Sequence, residues 1–150
     1  MSKNTNRHRT EYNLSNKALE VRGLLGKCFP FARLFVEYPY THMFEKHYKR
    51  NGVPYDLQDK WLLLQNRLHA DFVLPDYQCV IEVDGEQHFQ PVQFGGVSQE
   101  KAESNLQDQV YRDDIKHRVC VEMNYRLVRI RYDQIVNEDV IFELIKSRGF

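Results

Sequence analysis

Three carboxylates and a histidine fall close together between Leu68 and His88: Asp71, Glu82, Asp84 and His88. Around them the chain reads as two short strands joined at Pro75-Asp76-Tyr77, because apolar and β-branched residues run up to a proline-containing turn and resume after it. Asp71 interrupts the first strand. Glu82 and Asp84 end the second and, being two apart, point to the same face of the pleat. A carboxylate inside a mostly apolar strand is costly without a cation to meet it, and three on one edge of a hairpin make a site for a hard divalent cation held through oxygen. Gly85 lets the chain turn sharply, delivering Gln87 and His88 beside the acids. The competing reading is a wet strand face whose charges meet only solvent. Val80, Ile81 and Val83 oppose it, since a mostly apolar strand is typical of one buried on both faces.

The elements that must position this hairpin follow from periodicity. Leu14 to Cys28 reads as a helix with Ser15 or Asn16 as N-cap and with Leu14, Ala18, Val21, Leu24, Leu25 and Cys28 on one face; Pro30 ends it. Ala32 to Tyr40 alternates and is rich in Phe, Val and Tyr, as a strand should be. After the hairpin, Ser98 is placed to cap a long helix reaching about Asn124, whose stripe Tyr111, Ile115, Val119 and Met123 is expected in the core. Arg126 to Tyr132 is the last strand, and Asn137 to Ser147 a final helix capped by Asn137. The order is helix, three strands, helix, strand, helix, which predicts one α+β (α/β) domain over residues 14–150. Residues 1–13 are polar, aperiodic and carry Arg7 and Arg9; they read as a flexible arm.

Composition bounds the rest. At 150 residues with 42% hydrophobic and 13% aromatic content, the chain can build one ordinary core. No apolar run approaches the roughly 20 residues of a membrane span, and the polar start Met1-Ser2-Lys3-Asn4 is not a signal peptide, so a cytoplasmic protein is expected. Cys28, Cys79 and Cys120 are odd in number and widely separated, which argues against a disulfide framework, and without a C-x-x-C pair His42 and His47 read as surface residues rather than zinc ligands. Net charge is zero but uneven: residues 1–50 carry +6, residues 51–100 carry −6 and residues 101–150 carry none. The acids cluster around the proposed cation site. Basic residues including Arg7, Arg9, Lys17, Arg22, Lys46, Lys49 and Arg50 remain to meet phosphate.

The run Asp71-Phe72-Val73-Leu74-Pro75-Asp76-Tyr77 followed by Val80-Ile81-Glu82-Val83-Asp84-Gly85-Glu86-Gln87-His88 resembles the core of the PD-(D/E)xK restriction-endonuclease-like nucleases. Within them it is most similar to the very-short-patch-repair endonucleases and their phage and homing-endonuclease relatives, the EDxHD enzymes. The resemblance spans about Leu14 to Tyr132 and is weakest between Tyr40 and Arg67. It implies an αβββαβ core with a mixed four-stranded sheet flanked by helices, to which this chain adds a C-terminal helix and an insertion over residues 41–66. That insertion contains Lys46-His47-Tyr48-Lys49-Arg50, a turn at Asn51-Gly52 and an amphipathic piece around Trp61, and is assigned to DNA recognition or homodimer contact.

The resemblance further implies a Mg²⁺-dependent endonuclease acting on double-stranded DNA, with Mn²⁺ as a substitute. Asp71, Glu82 and a main-chain carbonyl near Val83 would hold the metal. The family's lysine two residues after the second acid is replaced here by Asp84; His88 takes its place as general base or phosphate donor, and Gln87 orients water or phosphate. A glutamate on the first helix is carried over as Glu20, with Glu11 the weaker candidate; the other account of Glu20 is a solvated helix residue. Asp113, Lys116 and Cys120 match a family pattern on the long helix, which makes Asp113 a supporting residue and Lys116 a DNA contact; an Asp113–Lys116 ion pair in solvent accounts for the same spacing. Two other functions stay open at this point, a catalytically inactive nucleic-acid-binding module of the same fold and a structural phage protein whose acids bind Ca²⁺.

Overall fold

The computed structural model describes residues 14–64, 68–86 and 98–146. The arm over residues 1–13, with Arg7, Arg9 and Glu11, lies outside them, as do Gln87 and His88. The first helix, α1 (Asn16–Cys28), starts where Ser15 Oγ accepts the Ala18 N–H at 3.1 Å, an N-cap that satisfies one of the donors a helix start leaves free. Strand β1 (Phe35–Pro39) leads into α2 (Tyr40–Asn51), and α3 (Gln58–Leu64) follows. Strands β2 (His69–Leu74) and β3 (Cys79–Asp84) form the expected hairpin around a single 3₁₀ turn, Pro75–Tyr77, closed by Gln78 at φ 47. The long helix α4 (Gln99–Glu122) is capped by Ser98, and β4 (Arg126–Arg131) and α5 (Glu138–Lys146) complete the fold. Asn137 caps α5 through the Val140 N–H at 2.9 Å.

The four strands form one mixed sheet in the order β1-β2-β3-β4, with the first two pairings antiparallel and β3–β4 parallel. The parallel step is made possible by α4, which crosses from the end of β3 to the start of β4. This is the expected α+β architecture of a four-stranded mixed sheet flanked by helices. Period-two alternation on β3 then separates two cores: Cys79 and Ile81 face α1 and α5, with Val21, Leu25, Ile130, Ile141 and Ile145, whereas Val80 faces α2, α3 and α4, with Phe44, Trp61, Ile115 and Val119. Glu82 and Asp84 continue the second face and are each 3% exposed, so the acids are inside the protein and a wet strand face is ruled out. No helix among the described residues is long and apolar enough to cross a membrane.

Strand β1 ends at Pro39 and α2 opens at Tyr40, because Tyr40, Phe44 and Tyr48 recur every four residues and are all buried against the sheet and α4. Within 41–66, Phe44, Tyr48, Leu57 and Trp61 are therefore packed into the core, while Lys46, Lys49, Arg50 and Tyr55 stay exposed. Trp61, expected with Leu62, Leu63 and Leu64 to offer apolar surface to a second copy, is 4% exposed and packs on Tyr48 with ring centroids 5.2 Å apart; the side chains of the three leucines lie outside what is described. Tyr111, placed in the core by its spacing, is 40% exposed; one turn before Ile115 it lies under Lys60, whose ammonium is 5.5 Å from the ring centroid.

Candidate active site

The β2–β3 ladder ends at Phe72–Ile81, one pair before Asp71 would meet Glu82. Side chains take over the backbone groups left there: Asp71 Oδ2 accepts the Val83 N–H at 2.7 Å, and Glu82 Oε2 accepts the Asp71 N–H at 3.3 Å. Buried amides need partners, and the two carboxylates supply them while the strands separate. On the other side of Asp71, the β1–β2 register skips the position opposite it, where Glu37 stands at φ 50. A non-glycine residue in that region is strained and needs surrounding structure to hold it. The turn at Glu37 brings Phe35 and Tyr38 to the same side of the sheet, where their rings stack at 4.6 Å.

The opened sheet borders a cleft of about 330 Å³. Glu37, Asp71 and Glu82 line it from three neighbouring strands, Ala18 from α1, and Gln109 and Lys116 from α4. Glu82 is heavily engaged: Lys116 Nζ donates to Oε1 at 2.9 Å, and Tyr40 Oη donates to Oε2 at 3.3 Å. Burial, reinforced by the Glu82 charge, pushes the Asp71 carboxyl up to about 7, against the opposing pull of the Val83 N–H and Lys116. Burial also raises Glu37, with His69 and Lys116 opposing and Glu82 adding. Burial disfavours the Lys116 ammonium, yet Glu82, Asp71 and Asp113 together hold it above the ordinary lysine value.

A second polar cluster adjoins this one. Arg129 Nη1 lies 3.0 Å from Asp84 Oδ1 and 3.6 Å from Asp113 Oδ1, while Nη2 donates to the Asp113 carbonyl at 3.4 Å. Gln109 Nε2 donates to Asp113 Oδ1 at 3.0 Å. Asp84, grouped from sequence with the cation-site acids, and Asp113, carried over as a supporting residue, thus meet Arg129 and are not among the described residues lining the cleft. The arrangement joins β3, β4 and α4 around a guanidinium.

Other assignments land elsewhere. Glu20 is exposed and paired with Lys17 at 3.1 Å; the α1 position facing the cleft is Ala18, and two residues of helix carry Glu20 far round the axis. Lys116, expected as a surface contact or as the partner of Asp113, is turned inward to Glu82 because its helix packs that face on the sheet. Lys46, Lys49 and Arg50 are exposed on α2, with Lys49 paired to Glu45 at 2.7 Å. Gly85 lines the cleft, and Gln87 and His88 lie outside the described residues. Glu37 and Tyr40 were missed. Glu37 interrupts an apolar strand as Asp71 does, and that signal was present in the sequence.

Mg²⁺ tests the donor set. It takes hard oxygen ligands, keeps several waters and needs only one or two protein carboxylates. Asp71 and Glu82, two carboxylates from neighbouring strands lining one cleft, meet that requirement. Among the described residues no three of His, Cys, Asp and Glu stand ready to hold a metal.

The raised Asp71 value has a consequence for stability. Between the ordinary carboxyl value of 3.8 and about 7, the folded metal-free protein holds a proton at Asp71 that the unfolded chain has released. Stability then falls as pH rises through that window, by up to about 1.4 kcal/mol per pH unit from this group. Asp71→Asn is expected to flatten that part of the slope in urea denaturation between pH 5 and 7 with EDTA present. Parallel pH profiles for the two proteins would refute the burial effect.

Compared with protein-family models, curated proteins and solved structures, the chain matches none.

Proposed function

We propose that this protein is a Mg²⁺-dependent endodeoxyribonuclease that hydrolyses phosphodiester bonds of double-stranded DNA. The observation that carries the reading is the interrupted ladder at Asp71, which opens the sheet so that Asp71 and Glu82, from paired strands, share a cleft with one inward-facing lysine. The likeness of this hairpin to the restriction-endonuclease-like nucleases supports it from sequence, and the αβββαβ order supports it from the fold. Asp71, Glu82 and the main chain at Val83 would hold the metal, which when bound supplies Lewis-acid stabilisation of the phosphoryl oxygens and a more acidic water.

The chain's own residues do the rest. His88 takes the proton of the attacking water or donates to phosphate, a role its ordinary pKa near neutrality suits. Gln87 orients the water. Tyr40 and the Asp71 N–H fix Glu82, so the carboxylate enters the reaction already placed. Exposed Lys46 and Arg50, with Arg7 and Arg9 of the arm, meet the DNA backbone. DNA as substrate and the free thiols of Cys28, Cys79 and Cys120 favour an intracellular setting.

Supercoiled plasmid incubated with purified protein and Mg²⁺ tests the reading. One chain holds one set of Asp71, Glu82 and His88 and attacks one strand at a time, so nicked circles are expected first and no product with EDTA. Linear product rising more steeply than linearly with enzyme concentration would report a homodimer, and a linear rise successive nicking by monomers. Intact plasmid in the presence of Mg²⁺ or Mn²⁺ would overturn the nuclease assignment in favour of a binding module. Metal-dependent melting without cleavage would point instead to a structural cation.

A further inference from the structure

We infer that Lys116 is the exchangeable counter-ion of the acid pair: its ammonium holds Glu82 until a divalent cation arrives, then turns to the phosphate of the bound DNA. This rests on the nuclease reading and goes beyond it by assigning the lysine two successive partners. Among the described residues lining the cleft, Lys116 is the one Lys or Arg, against the three carboxylates of Glu37, Asp71 and Glu82. A cleft with that balance repels phosphate unless a positive group faces it. The Lys116 side chain is 11% exposed and its Nζ stands 2.9 Å from Glu82 Oε1, an oxygen a metal would have to use. Two cations cannot share that oxygen without strong repulsion in a partly buried site.

The alternatives for the released ammonium are few. Glu82 Oε2 is already bonded by Tyr40 and the Asp71 N–H. Asp113, three residues earlier on α4, is held by Gln109 and Arg129. With Asp71 taken up by the metal, the cleft itself remains for a flexible four-carbon stem, lined there by Glu37 and open to the phosphate that would lie in it. Lysine suits this better than arginine, since a compact ammonium can change partners without the fixed fork of a guanidinium.

The test measures Mn²⁺ binding by calorimetry and plasmid nicking at saturating Mn²⁺ for wild type, Lys116→Gln and Lys116→Arg. Lys116→Gln keeps a donor for Glu82 and removes the charge. It should bind Mn²⁺ about tenfold more tightly or better, because a competing positive charge is gone, while nicking at saturating metal falls by about a hundredfold or more. Lys116→Arg, which keeps the charge, should return Mn²⁺ affinity to within a few-fold of wild type. A purely structural role would weaken binding and nicking together and would not separate Gln from Arg. Unchanged or weaker Mn²⁺ binding by folded Lys116→Gln overturns the inference even if the wild type cuts DNA. Should Lys116→Gln not fold alone, a larger Mn²⁺-induced rise in melting temperature for Lys116→Met than for wild type supports the inference, and an equal or smaller rise overturns it. Wild type that binds Mn²⁺ but leaves plasmid intact removes the nuclease reading, and the affinity comparison still decides the counter-ion role.

Discussion

Asp71→Asn and Glu82→Ala should each lose Mg²⁺-dependent nicking of plasmid DNA by about a thousandfold or more, the scale on which removing one member of a catalytic constellation acts. Mg²⁺ uses few protein ligands, so losing one of two carboxylates removes about half of the anionic charge that holds it. The choice of substitution matters at Asp71. Its carboxylate also accepts the Val83 N–H at 2.7 Å, and asparagine keeps an acceptor there while removing the charge. Loss of activity in a folded Asp71→Asn protein would therefore report on the chemistry, not on the hairpin. Glu82→Ala is harsher, since Lys116 and Tyr40 lose a shared partner. Circular dichroism and urea denaturation of both variants separate misfolding from lost turnover. Cleavage by Asp71→Asn within tenfold of wild type would remove Asp71 from the site.

A large effect on stability is also expected at Arg129, outside the cleft. The Asp84 side chain is 5% exposed and meets the guanidinium at 3.0 Å, and the same guanidinium reaches both the carboxylate and the carbonyl of Asp113. Removing one partner of a buried ion pair leaves the other charge desolvated, at a cost of about 3–5 kcal/mol. Arg129→Met should lower stability by that amount and the melting temperature by roughly 10 °C for a domain of this size. Adding Asp84→Asn to Arg129→Met should recover part of the loss, because the stranded charge is gone, and the double-mutant cycle measures the coupling directly. A change under about 1 kcal/mol for Arg129→Met would mean that water reaches the cluster and that the pair behaves as a surface salt bridge.

What could be read from the chain alone is local in origin. The turn at Pro75–Tyr77 follows from a proline-containing break between apolar runs, and the helix starts at Ser15, Ser98 and Asn137 follow from side chains that accept a nearby backbone N–H. That Glu82 and Asp84 share a face with Val80 follows from the two-residue period of a strand. The order of helices and strands was legible from periodicity, and the mixed sheet as what the resemblance implies; the hairpin gives antiparallel neighbours, while the long helix between two strands permits a parallel one.

Only the tertiary structure decided which side chains meet those acids. Tyr40 and Lys116 reach Glu82 from 42 and 34 residues away, and no spacing rule connects positions so far apart. Lys116 pairs with Glu82 instead of Asp113 because α4 lays that face on the sheet, where the strand acid is closer than its neighbour on the helix. Ala18, not Glu20, faces the cleft for a similar reason: the rotation of α1 is set by packing Val21 and Leu25 into the core. Glu37 enters through a backbone at φ 50, which alternation cannot anticipate because it presumes a regular strand. Periodicity states which residues share a face; how faces are packed against one another decides which charges become partners.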